Sequence, residues 1–302
     1  MNSLSILPPV LALGLSPLLI GVIQRTKAVF AGRKGPSLFQ PYFDLWKLWR
    51  KGAVYSRTTT WVFRAGPVMG LAAVGTATLL VPIGSVAAPL AFAGDLVLFA
   101  YLLGLMRFVT VLAALDTGSA FEGMGASREV WVSALAEPAL LLALGVVAQG
   151  TNALSLSGMF AGLADQGLKM GPALALVLVA LLIVVLAENA RIPVDDPATH
   201  LELTMIHEVM VLDHSGPDLG FVLYGAAVKL WVLGLLIVNT LLPLGTGSAT
   251  WSLAMALGGM LGLAVVIGAI ESVMARLRLV VIPQLLVGAG ALAAVALMLG
   301  MR

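Results

Sequence analysis

Long apolar runs alternate with short charged ones along this chain. Met1–Gln24, Ala65–Gly94, Pro138–Ala164, Met170–Ala187, Leu230–Ile270 and Leu279–Met301 contain no Asp, Glu, Lys or Arg. About 20 apolar residues suffice to cross a bilayer. The pattern predicts eight transmembrane helices, near 4–24, 61–83, 93–114, 129–149, 171–189, 220–242, 250–271 and 280–300. The longest run divides at "PLGTGSAT", where Pro243 and two glycines mark a turn. The first segment has no basic stretch before it and no small-residue cleavage site after it, so it reads as a retained span. The expectation is an all-α integral membrane protein, one polytopic domain over 1–302, without a soluble domain or internal repeat.

The loops give the expected orientation. Arg25, Lys27, Arg33, Lys34, Lys47, Arg50, Lys51 and Arg57 lie in the first, Arg128 in the third, Arg191 in the fifth, Arg276 and Arg278 in the seventh; the even loops offer only Lys169. By the positive-inside rule the odd loops are cytoplasmic and both termini face outward. Within the first loop (25–60), "QPYFDLWKLWRKG" places Phe43, Trp46 and Trp49 along one side of a helix and Asp44, Lys47 and Lys51 along another. Such a segment lies in the membrane interface, as a lipid anchor or as a docking site for a partner subunit. In the fifth loop (188–219), Asp196 as N-cap and Pro197 at the first helical position open a helix that ends near Gly216.

Composition narrows the class. Sixty per cent of residues are apolar and 11% charged, with a mean hydropathy of +1.03. Cysteine is absent, which excludes disulfides, thiol catalysis and cysteine-ligated iron–sulfur clusters within this chain. A net charge of +2 and no basic block interleaved with aromatics exclude a nucleic-acid partner.

A few polar residues break the apolar runs. Glu137, followed by Pro138, stands nine residues beyond Arg128, roughly 13 Å into a helix. Arg107, Lys229 and Glu271 interrupt other spans, and Glu188 ends the fifth. Arg191, Asp195, Asp196 and Glu202 follow at once, and Glu188, Asp195 and Glu202 could converge at the mouth of the bundle. Carboxylates at such depth are protonated, paired or placed along a wet path. Two readings stay open, structural ion pairs and a polar axis for protons. His200, His207 and His214 recur every seven residues; on a helix neighbours lie ~10 Å apart, too far for one metal ion. A titratable surface facing another subunit suits them better.

At these residues the chain resembles the family of respiratory complex I subunit 1 and the corresponding membrane subunits of energy-converting [NiFe] hydrogenases. The resemblance covers nearly the whole chain. It rests on "GRKGPS" with Gln40, Asp44 and Lys47 downstream, on Arg128 nine before Glu137, and on "ENARIPVDDP" followed by "LEL". The quinone-reducing branch has a third cytoplasmic loop of the form E-x-x-R-x-P-F-D-x-P-E-x-E-x-E-L. Glu188, Arg191, Pro193, Asp195, Pro197, Glu202 and Leu203 match it, while Val194, Ala198 and His200 depart. Ala136 stands where that branch has Tyr, and "MARLRLVVIPQ" replaces a P-R-x-R-Y-D-Q stretch. "LDTGSAFEGMGASRE" and "ELTMIHE" are instead similar to formate hydrogenlyase and hydrogenase-4 type subunits.

The resemblance implies a non-catalytic subunit of an oxidoreductase complex in a bacterial or archaeal inner membrane, with no catalytic or metal-binding residue of its own. It implies [NiFe] and iron–sulfur centres in cytoplasmic partner subunits, neighbouring antiporter-like membrane subunits, and no bound quinone. Coupling residues would be Glu137, Glu188, Asp195, Glu202, Arg128, Arg191, Lys229 and Glu271; docking residues would be Arg33, Lys34, Asp44, Lys47, Asp196, His200 and His207. The alternative is a quinone-site subunit of a complex I-like NADH dehydrogenase, its entrance framed by the amphipathic first loop. A stand-alone transporter would need paired broken helices, which the sequence lacks.

Overall fold

The structure, a computed structural model, describes residues 3–166, 171–195, 205–242 and 248–300. Ten α-helices occur among them: α1 (Leu7–Phe30), α2 (Gln40–Trp49), α3 (Trp61–Ala77), α4 (Asp95–Asp116), α5 (Ala120–Thr151), α6 (Leu156–Gln166), α7 (Gly171–Glu188), α8 (Gly216–Leu241), α9 (Ala249–Val273) and α10 (Ile282–Gly300). No strand occurs among the described residues. Seven helices (α1, α4, α5, α7, α8, α9 and α10) are long and apolar enough to cross a membrane. α8 is the axis. Every residue from Ala227 to Thr240 is buried, the mark of a helix apolar on all sides and wrapped by others. α1, α3, α7 and α9 pack around it, α10 lies on α5 and α7, and α4 bridges α3 and α5.

Four expectations change. The second span, expected over 61–83, is helical only over Trp61–Ala77, about 26 Å. Beyond it Pro82 offers no amide donor, and Asn239 of α8 holds the irregular chain by donating to the Pro82 carbonyl at 2.9 Å and accepting from Gly84 N at 3.3 Å. α5 begins at Ala120 and spans 32 residues, about 48 Å, so Arg128 stands on a helix and not in a loop. α6 was not expected. The helix expected from Asp196 to near Gly216 falls partly on 196–204, outside the described residues; the described remainder forms a single 3₁₀ turn, Glu208–Val211. Val209, Met210 and Val211 are all buried in succession, a pattern that a one-sided surface helix cannot satisfy. His207 and His214 therefore do not share one helix, and His200 lies outside the described residues.

The face carrying the odd-numbered loops is sewn together by polar and close backbone contacts. Thr60 caps α3, and its amide and hydroxyl donate to Asp116 at the end of α4, at 2.6 and 2.8 Å. α2 lies against α1 and α8. Tyr42 Oη donates to Gly14 O at 2.6 Å, Tyr224 Oη to Leu13 O at 2.7 Å, and Trp49 packs edge-on to Tyr224 at 5.9 Å. Phe43, Trp46 and Trp49 are all exposed, as an interfacial helix requires, and Trp49 also packs against Phe221 and Tyr224. A Cβ on Gly21 would collide with the Leu38 carbonyl, which fixes how closely the first loop folds back on α1.

Gly216 starts α8 with φ +56°, and a Cβ there would stand 2.6 Å from Gly52 O. Gly216→Val should cost about 1–3 kcal/mol from backbone strain alone, with the clash in addition. The loss should be read as a lower midpoint for the purified chain in thermal unfolding; an unchanged midpoint contradicts this packing.

Candidate functional site

The polar residues inside the bundle gather around Arg107, in the half of α4 nearer Asp116. Its Nη2 donates to both carboxylate oxygens of Glu188, at 2.6 and 2.7 Å, and Nη1 donates to Glu137 Oε1. Its Nε lies 3.5 Å from Glu129 Oε1. Glu129 and Glu137 are eight residues apart on α5, two turns or about 12 Å, so one guanidinium spans the gap between them. Planar, permanently charged guanidinium suits this multiple contact in a way an ammonium does not.

Lys229 of α8 completes the cluster. Its Nζ lies 2.8 Å from Glu188 Oε2 and donates to the Glu188 carbonyl oxygen at 2.6 Å. Glu188 is the last residue of α7, so this ammonium also answers the negative end of that helix. The cluster draws one or more charges from α4, α5, α7 and α8, and holds three carboxylates against two cations. Glu188 and Arg107 are almost wholly buried, whereas the Glu137 side chain is 45% exposed. It opens on an apolar groove between α4 and α5 of about 530 Å³, lined by Val97, Tyr101, Leu105, Phe108 and Leu141.

Other expected residues form separate clamps. Glu271 at the end of α9 pairs with Lys27 of α1 at 2.8 Å and Arg191 at 3.3 Å. Asp195 pairs with Arg276 at 2.8 Å and accepts from the amides of Ile206 and His207 at 3.0 and 3.1 Å. Asp195 thus pairs outside the Arg107 cluster. Arg128 donates to Met205 O at 2.8 Å. Glu202, Asp196 and His200 lie outside the described residues. Arg33, Lys34 and Lys47 are exposed, and Asp44 accepts from Gln40 within α2 at 2.9 Å. Among the described residues no group of three His, Asp or Glu side chains is arranged to hold a metal ion.

The setting of two residues, Glu129 in the cluster and His207 beside it, is not legible in the sequence alone. By sequence Glu129 reads as the end of a loop motif, because the pattern places the start of α5 nine residues late; its eight-residue spacing to Glu137 is the available signal. His207 was expected on a docking surface. It is partly exposed and also lines a small cavity beside Glu129, Glu188 and Lys229. His214 lies flat on Phe63, centroids 4.0 Å apart. Burial pushes the proton affinity of both imidazoles below the ordinary value; for His207 nearby carboxylates of Glu129, Asp195 and Glu188 oppose that shift and Lys229 adds to it.

The family model described as NADH dehydrogenase matches residues 3–301. The chain belongs to the NADH dehydrogenase family. Within it, this family member is 31% identical over 276 residues to formate hydrogenlyase subunit 4 of Escherichia coli (strain K12), covering 89% of each chain. It is 32% identical over 236 residues to hydrogenase-4 component C of the same organism, covering 78% of this chain and 74% of that one. Its fold matches a chain of an archaeal membrane-bound sulfane sulfur reductase, a respiratory membrane complex, with a TM-score of 0.82 over 98% of each chain at 22% identity. The resemblance in "ENARIPVDDP", "ELTMIHE" and the α5 motif thus led to the right family and relatives.

Removing Arg107 leaves buried carboxylates without their shared cation. Arg107→Gln should cost roughly 3–5 kcal/mol. Adding Glu188→Gln should cost less than the two single changes summed, because the surviving partner is then neutral. A double-mutant cycle on the chain in mild detergent checks this, and strictly additive losses count against the cluster.

Proposed function

We propose that this chain is the membrane-anchor subunit of a formate hydrogenlyase or hydrogenase-4 type [NiFe] hydrogenase complex. It holds the peripheral iron–sulfur and large subunits on its charged, cytoplasmic face and couples electron transfer to proton movement. The names of the two relatives and their coverage support the class. The observation that carries the coupling is the Arg107 cluster, which joins buried Glu188, next to the charged loop, to half-exposed Glu137 in the α4–α5 groove.

The coupling is electrostatic. A unit charge arriving about 12 Å away, in an effective dielectric of about 20, changes a site's energy by roughly 1.4 kcal/mol, or about one pKa unit. Arg107 is the shared counter-charge of three carboxylates. When one takes a proton, more of the guanidinium's attraction is left for the others, so a charge felt at Glu188 is transmitted to Glu137. From there protons pass to the neighbouring membrane subunit that covers the groove. Arg33, Lys34 and Lys47 of the first loop, exposed on the same face, receive the peripheral partners.

The alternative, a quinone site, needs an entrance under the first loop. Tyr42, Trp49 and Tyr224 span that α1–α2–α8 contact with hydrogen bonds and ring packing, which supports the reading without quinone.

Deleting this chain should release hydrogenase activity from membranes into the soluble fraction; activity that stays membrane-bound removes the anchor role. In sealed vesicles, Glu137→Gln should lower protons moved per electron at least about tenfold in the assembled complex, the contribution of a proton-transfer group. A correctly assembled variant with the full ratio would falsify the relay through Glu137.

A further inference from the structure

A second, smaller space lies against the Arg107 cluster. It measures about 40 Å³ and is lined by Met106, Arg107 and Thr110 of α4, Glu129 of α5, Glu188 and Asn189 at the end of α7, Ala226 and Lys229 of α8, and His207. A water needs roughly 10–15 Å³ and two or more polar partners, so the space suits one to three waters. Polar partners are present. Asn189 Oδ1 and Arg107 Nε are buried without a hydrogen-bond partner, and polar atoms in that position are satisfied by ordered water.

His207 differs from the other polar residues around this space. The others are carboxylates, cations, an amide and a hydroxyl; His207 is the imidazole, with an ordinary pKa nearest neutrality. It is partly exposed, whereas Glu188, Lys229 and Arg107 are buried. The chain enters the cavity at this point because the amides of Ile206 and His207 are both anchored on Asp195, itself held by Arg276. The imidazole is thereby fixed between the charged face and the ion cluster. Its charged neighbours are Glu129, Glu188, Asp195, Lys229 and Arg107.

We propose that His207 and this cavity form the proton inlet of the ion cluster. The imidazole takes a proton on one ring nitrogen from water at the charged face and releases the proton of the other through cavity water to Glu129 or Glu188. One proton enters, one leaves, and no electron moves. The inference rests on the coupling reading above and gives it an entrance, as the α4–α5 groove gives it an exit. Burial disfavours imidazolium here and the three carboxylates favour it; a transfer site needs such a balance, since a strongly held proton would not be passed on.

The test has two arms. The chain contains three histidines, so the full-length protein carrying isotopically labelled histidine in lipid nanodiscs gives few imidazole signals. The one lost in His207→Gln belongs to His207. It should titrate below the ordinary imidazole value of about 6.5, and Glu129→Gln should move it lower still by removing a carboxylate that favours the charged form. A signal at the ordinary value, unmoved by Glu129→Gln, overturns the inlet. In the assembled complex in sealed vesicles, His207→Gln should lower protons moved per electron at least about fivefold, and His207→Gln with the full ratio overturns the inlet alone. A wild-type complex that moves no protons overturns the coupling reading, and the inlet with it.

Discussion

A guanidinium deep in an apolar helix bundle must be answered by carboxylates, and Arg107 is answered by three of them. A buried charge left alone costs several kcal/mol even after relaxation. Glu188 gives two hydrogen bonds' worth of compensation, Glu137 and Glu129 the rest, and Lys229 holds the far side of Glu188. These contacts fix the relative heights of α4, α5, α7 and α8. They also leave an imbalance, three acids to two bases, at the one place where the cluster meets an exposed groove. Apolar residues of similar volume often stabilise a core as well as a buried ion pair does, so stability alone is a weak reason for these charges.

The remaining ion pairs behave differently. Lys27–Glu271–Arg191 and Arg276–Asp195 tie helix ends and loops on the charged face, and Arg128 ties Met205 to α5. They set the shape of a surface, and none of them lines the α4–α5 groove or the small cavity beside His207. Of the eight residues expected to serve coupling, Glu137, Glu188 and Lys229 belong to the Arg107 cluster, Asp195, Arg191, Arg128 and Glu271 build the frame beside it, and Glu202 lies outside the described residues. Position relative to the cavity and the groove separates the two groups.

Much of the fold was legible because a bilayer demands long apolar runs, and these stand out without any partner information. The short α3 was not, since "LLVPIGSVAAPLAF" is apolar enough to extend a span and only the contact of Asn239 with Pro82 and Gly84 shows why it leaves the helix. The start of α5 is not legible either, because charges ordinarily mark the edge of a span, although Glu122, Arg128 and Glu129 are carried on its first turns. The site was half legible. Glu137, Glu188, Arg107 and Lys229 are conspicuous as charges in apolar runs, but which cation serves which acid depends on helix rotation, which no single sequence prints. For His207 the seven-residue spacing suggests a helix and a surface; the anchoring of its amide on Asp195 is a tertiary contact without a local signature.

The central claim is that an electron reaching the charged face changes the protonation of carboxylates in the Arg107 cluster. The redox-induced infrared difference spectrum of the assembled complex tests it most directly, in the C=O stretching region of protonated carboxyl groups. A band should appear on reduction, and Glu137→Gln or Glu188→Gln should remove or shift it. A spectrum with no redox-linked carboxyl band, or a band unchanged in both variants, contradicts the account.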